Sequence, residues 1–140
     1  MFLDLRRKIG LTENRFLIDS SAWIEYFKGT NLGKKVKEIL EDSNNQILTP
    51  KIVIAEVTSK IARSGQDPTE AFLAIESFSI QINEKQEYFF EAGVEHAKLK
   101  QKFEEISLAD ALIKVLEEKN NAKIVTKDFH LKGKNTIFIG

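Results

Sequence analysis

Phe16-Leu17-Ile18-Asp19-Ser20-Ser21-Ala22-Trp23 is the stretch from which the fold is read. A short apolar run ends in a carboxylate, and two hydroxyl residues follow that are able to open a helix. An apolar run of this length between polar residues fits a strand buried on both faces, and the Ser pair supplies an N-cap for the helix beyond it. Asp19 then closes a central strand at its carboxyl end, where open parallel sheets bind ligands. For one isolated Asp the plainer reading, a residue that merely caps the helix, has the better claim. Its company downstream changes the balance.

Working outward, Phe2, Leu5 and Ile9 fall at helical spacing and Gly10 is a natural stop. Residues 1–15 are therefore expected to be an N-terminal extension carrying a short helix, ahead of one domain over 16–140. Beyond the organising strand, a helix is predicted over Ser20–Lys28 with its stop at Gly29, and a second amphipathic helix over Leu32–Glu41. Gln46–Thr49 reads as a strand, with Thr49 as cap and Pro50 at the first position of a helix running to Ser64. A turn over Gly65–Pro68 leads to a helix over Thr69–Ser77, a strand over Ser79–Ile82 and a long helix over Glu84–Phe103. A helix over Ser107–Lys119 and strands over Lys123–Thr126 and Thr136–Ile139 complete the chain. Phe72, Phe78, Phe89 and Phe103 are expected in the core. Strands alternating with helices predict an α/β fold, a three-layer α/β/α sandwich around a parallel sheet of about five strands.

A chain of 140 residues suits one domain with a real core, and 42% hydrophobic with 30% charged residues is ordinary for a globular protein. The 21 basic and 21 acidic residues cancel, so no overall positive field would hold nucleic acid or anionic lipid. Any nucleic-acid contact must be local. The absence of Cys excludes disulfides and thiolate metal sites. Asp4, Arg6, Arg7 and Lys8 interrupt any leader-like apolar region, and no later run is long enough to span a bilayer. A cytoplasmic protein without a membrane role is expected.

Three more acids share the placement of Asp19. Glu56 lies in the apolar run Ile52-Val53-Ile54-Ala55-Glu56-Val57, although a solvated pair with Lys60 four residues on would explain it equally simply. Asp110 lies in Ser107-Leu108-Ala109-Asp110, which is also a capping-box pattern. Asp128 follows Val125-Thr126-Lys127, where a turn residue would be unremarkable. The conjunction is what matters. A doubly wound sheet can set two of these strand ends side by side, and carboxylates gathered within several ångströms raise one another's pKa. A divalent cation removes that conflict, and an all-oxygen donor set selects Mg²⁺ or Mn²⁺.

Leu17-Ile18-Asp19-Ser20-Ser21 with Trp23-Ile24, the apolar helix bearing Glu56, Ser107-Leu108-Ala109-Asp110-Ala111 and Ile124-Val125-Thr126-Lys127-Asp128 resemble, in this order, the four acidic motifs of the PIN domain family. The chain looks most like the small VapC-type ribonuclease toxins. The resemblance implies adjacent first and fourth strands and a catalytic metal site of Asp19, Glu56, Asp110 and Asp128, supported by the hydroxyls of Thr126 and Ser20. It further implies hydrolysis of RNA to 5′-phosphate and 3′-hydroxyl ends, a cognate antitoxin and a homodimer. Residues ahead of the first strand depart from the usual pattern. Substrate grip is expected from Lys127, His130, Lys132 and Lys134, with Lys28, Lys34 and Lys35 farther off, although a solvated lysine surface is the plainer reading. Two alternatives keep the fold: an RNA-processing or decay nuclease without an antitoxin, and a non-catalytic binding module. A haloacid-dehalogenase-type phosphatase would want an Asp where Ser21 stands.

Overall fold

In the computed structural model, which describes residues 14–133 and 135–140, strands and helices alternate as the sequence pattern predicts. β1 (Asn14–Ile18) leads through α1 (Ser20–Lys28) and α2 (Asn31–Glu41) to β2 (Asn45–Leu48). From there α3 (Lys51–Arg63) and α4 (Pro68–Phe78) reach β3 (Ser79–Ile80). The chain returns through α5 (Gln86–Lys100) and α6 (Leu108–Asn120) to β4 (Lys123–Thr126), and a 3₁₀ turn over Phe129–Leu131 leads to β5 (Thr136–Phe138). The helix expected over residues 2–9, and Lys134, lie outside the described residues.

All strand pairs are parallel and the order is β3-β2-β1-β4-β5. The chain therefore moves one way from β1 to β3 and then crosses back past β1. Right-handed crossovers put the helices of the two halves on opposite faces, giving the α/β/α sandwich. β1 is the central strand, with Leu17 level with Leu48 on one side and Ile124 on the other. Leu17, Ile18, Ile124 and Val125 are fully buried, which is why these strands read as continuous apolar runs.

The sequence places most boundaries within a residue or two, and the departures have local causes. Pro50 is the N-cap of α3 rather than its first residue, and Thr49 does not cap it. The Thr49 hydroxyl instead receives Trp23 Nε1 at 3.3 Å and pairs with Ser79 Oγ at 2.8 Å. Glu84, expected in a helix, caps α3 from 33 residues away, its Oε2 accepting from Lys51 N at 3.0 Å. That leaves α5 to begin at Gln86. β3 stops at Ile80 because β2, its partner, has ended at Leu48 and offers Gln81 and Ile82 nothing to pair with.

Three of the aromatics expected in the core are instead exposed: Phe72, Phe89 and Phe103. On α5 the inward stripe runs through Tyr88, Ala92 and Leu99, so Phe89 is turned about 100° away from it. Phe103 falls in the turn after α5, which is shorter than predicted. Phe78 does pack on the core, 6.4 Å from Trp23, which is itself fully buried and stacked on Phe27 at 5.7 Å. Trp23 thus binds α1 to β2 and α4, fixing the helix that begins at Asp19.

Candidate active site

The order in which the chain adds strands reverses between β1 and β4, all of them parallel, so the carboxyl ends of these two strands open the crevice where ligands bind in such folds. Asp19 and Asp128 stand at these ends, and the Asp19 amide extends the ladder by donating to Val125 O at 3.0 Å. Asp19 occupies the N-cap position of α1, yet its side chain makes no cap hydrogen bond. It is buried, and its Oδ2 accepts from Thr126 Oγ1 at 2.8 Å and Ser21 Oγ at 2.9 Å. The capping reading of Asp19 therefore does not account for its side chain. Thr126, fully buried, also accepts from the Asp128 amide at 2.9 Å, so one hydroxyl links the two acids.

Asp110 serves twice. Its Oδ2 accepts from Ser107 N at 3.2 Å and its amide donates to Ser107 Oγ at 3.0 Å, a complete capping box, and the same carboxylate lies at the crevice. Asp110, Asp128 and His130 each place one potential ligand atom within 4.8 Å of the others. The Asp128 side chain also accepts from the His130 amide at 2.9 Å, and His130 Nδ1 stands 3.2 Å from the same oxygen. Glu56 projects from α3 at the rim, the residue open to solvent and its carboxyl group half-buried against the other acids.

Electrostatics tie the four acids together. Burial pushes the Asp19 carboxyl up, against the hydrogen bonds of Thr126 and Ser21, and the charge of Asp128 adds to the rise. Asp110 is raised first by burial and further by Asp128 and Asp19. Glu56 is raised by burial, then by the charges of Asp19, Asp110 and Asp128. Three carboxylates whose ionisation is disfavoured partly by one another, beside a fourth and an imidazole, are a donor set suited to a hard dication, with one nitrogen that Mn²⁺ tolerates.

The residues expected to grip substrate fare differently. Lys127 Nζ is paired with Glu25 Oε1 at 2.8 Å, and Lys132 Nζ lies 5.0 Å from the Phe138 ring centroid. Lys34 lines a separate groove with Tyr26 and Phe27. Beside Glu56, a cleft of about 490 Å³ is lined by Ser20, Ser21, Ile24, Ser59, Lys60 and Arg63 among others. Lys60 and Arg63 follow Glu56 at helical spacing, a signal present in the sequence. Ser20 turns toward Glu56, and Ser21, not Ser20, is the hydroxyl on Asp19. The phase of the first helical turn decides between the two.

A three-layer sheet protein with carboxylates converging at its switch point is the class that fold and site define. The PIN domain model matches residues 16–135, and the chain belongs to this family, whose members are generally nucleases. The structure is similar to a toxin-antitoxin complex from Klebsiella pneumoniae, with TM-score 0.66 and 21% identity over 89% of this chain and 97% of that one. It is also similar to VapBC2 from Rickettsia felis bound to a DNA fragment from its promoter, with TM-score 0.64 and 21% identity over 81% and 87% of the two chains. VapBC-1 from nontypeable Haemophilus influenzae gives TM-score 0.64 and 16% identity over 89% and 98%. No curated protein sequence matches the chain.

Proposed function

We propose that the chain is a metal-dependent endoribonuclease and the toxin of a toxin–antitoxin pair. The observation that carries the reading is geometric: Asp110, Asp128 and His130 place ligand atoms within 4.8 Å of one another, and the Thr126 hydroxyl ties Asp19 to Asp128 beside them. Asp19, Asp110 and Asp128, with Glu56 at the rim, would hold Mg²⁺ or Mn²⁺, which when bound polarises a phosphodiester oxygen and lowers the pKa of a water. Thr126 and Ser21 hold Asp19 in one orientation, and Thr126 keeps the Asp128 backbone beside it. Glu56 would hold a second ion or orient the attacking water and take its proton. Attack at phosphorus in line with the departing 3′ oxygen breaks the P–O3′ bond and leaves a 3′-hydroxyl and a 5′-phosphate. Lys60 and Arg63 lie along the cleft beside Glu56 and offer the phosphate contacts that a chain of zero net charge must provide locally.

The toxin assignment draws on the similar structures, a toxin-antitoxin complex and two VapBC complexes. A cognate antitoxin, a homodimer and a cytoplasmic setting belong to the same proposal. No helix among the described residues is long and apolar enough to cross a membrane. The test is cleavage of single-stranded RNA in Mg²⁺ or Mn²⁺: the parent should cut, and Asp19→Asn should lose nearly all activity. Undiminished cleavage by Asp19→Asn would overturn the ribonuclease reading. Expression in a bacterial host should slow growth and Asp110→Ala should relieve it; equal growth contradicts the toxin assignment.

A further inference from the structure

Beneath the acids, a second charged pair ties α1 to the segment that carries Asp128. Glu25 is buried in α1, where its Oε1 accepts from Lys127 Nζ at 2.8 Å and its Oε2 accepts from the Thr30 hydroxyl. Lys127 stands between Thr126 and Asp128, and its amide donates to Ser21 Oγ at 2.9 Å. The segment Thr126–Asp128 is thus fastened to the start of α1 at three points: Thr126 on Asp19, the Lys127 amide on Ser21 and the Lys127 ammonium on Glu25. Glu25 is held in turn. A Cβ on Gly33 of α2 would overlap the Glu25 carbonyl, so the two helices meet closely at this level, and Thr30 both caps α2 and donates to Glu25. With Glu25 buried and Lys127 half-exposed, the ion pair adds little net stability, but it does fix one geometry.

We propose that Glu25 and Lys127 are positioning residues whose ion pair holds the Thr126–Asp128 segment against α1, keeping Asp128 turned to Asp19 and Asp110; Lys127 is not a phosphate grip. This inference rests on the acids being the active site. The full chain is compared with Glu25→Gln, Lys127→Met, the double variant and Lys127→Arg. Each of the first two should lower kcat for RNA cleavage in Mn²⁺ by roughly 10- to 100-fold with KM unchanged, as small misplacements in active sites do. The double variant should be no worse than either single one, because the two act as a unit. Lys127→Arg, which keeps charge and reach, should restore most of kcat. In the metal-free protein, hydrogen exchange should quicken at the Lys127 and Asp128 amides in the single variants while β1 and α6 keep their protection. A raised KM in Lys127→Met, with Glu25→Gln behaving as the parent, would make Lys127 a substrate contact and overturn the proposal. Exchange lost evenly across the fold would overturn it as well, making the pair a general stabiliser. If the parent itself cuts no RNA, the ribonuclease reading fails and the exchange pattern alone decides: loss confined to residues 127 and 128 supports the anchor, and unchanged exchange refutes it.

Discussion

Asp19 is a carboxylate whose hydroxyl neighbours favour its charge while burial, the largest influence, and the charge of Asp128 oppose it. Asp110 and Glu56 are likewise raised, burial first. A carboxyl raised in the folded state adds stability that is fully present below the ordinary carboxylate range and lost as the pH climbs through the raised value. The metal-free protein should therefore lose stability from these three groups as the pH rises from about 4 toward neutrality, followed by urea midpoints across that range. Asp19→Asn, which keeps an acceptor for Thr126 and Ser21, should flatten that dependence and raise stability at pH 7 by about 1–2 kcal/mol while removing activity, a site-for-stability exchange. Glu25 runs the other way. Lys127 and then Thr30 hold it below the usual range, so its contribution is present at neutral pH and lost as the pH falls through the lowered value. Asp19, Asp110 and Asp128 were legible because each follows a strand or lies in the first turn of a helix, and Glu56 because it interrupts the apolar run of α3. Ser21 and Glu25 were not, because one depends on helical phase and the other on a partner 102 positions away.

At the scale of elements, periodicity and punctuation carried most of the reading. Gly29 ends α1 with φ 68° and Asn121 ends α6 with φ 49°, both left-handed positions that the sequence marks by residue type. The capping box at Ser107 was equally readable, and Ser107→Ala should cost about 1 kcal/mol in a denaturant titration. What the sequence concealed were ends decided by tertiary contacts, such as Glu84 reaching back to α3 and a two-residue β3 limited by its partner. Gly33 is a related case. Its neighbour is the backbone of another helix, so Gly33→Ala should destabilise by about 1–3 kcal/mol through overpacking and should weaken catalysis through Glu25.

For the molecule as a whole, strand order was the inference that mattered, since it alone brings Asp19 and Asp128 to one crevice. Alternating strands and helices implied a parallel sheet, and adjacency of β1 and β4 followed from the family resemblance rather than from spacing. The aromatics misread as core show the limit of composition: a helix's apolar residues do not disclose which of them a neighbour will cover. A bound dication that recognises only the folded site should raise stability at pH 7 by about 3 kcal/mol at roughly a hundredfold excess over Kd. The most direct measurement is an anomalous difference map from crystals of this protein soaked in Mn²⁺. A strong peak enclosed by Asp19, Asp110 and Asp128 is the predicted result; an empty crevice, or those three carboxylates turned to separate faces, would contradict the account.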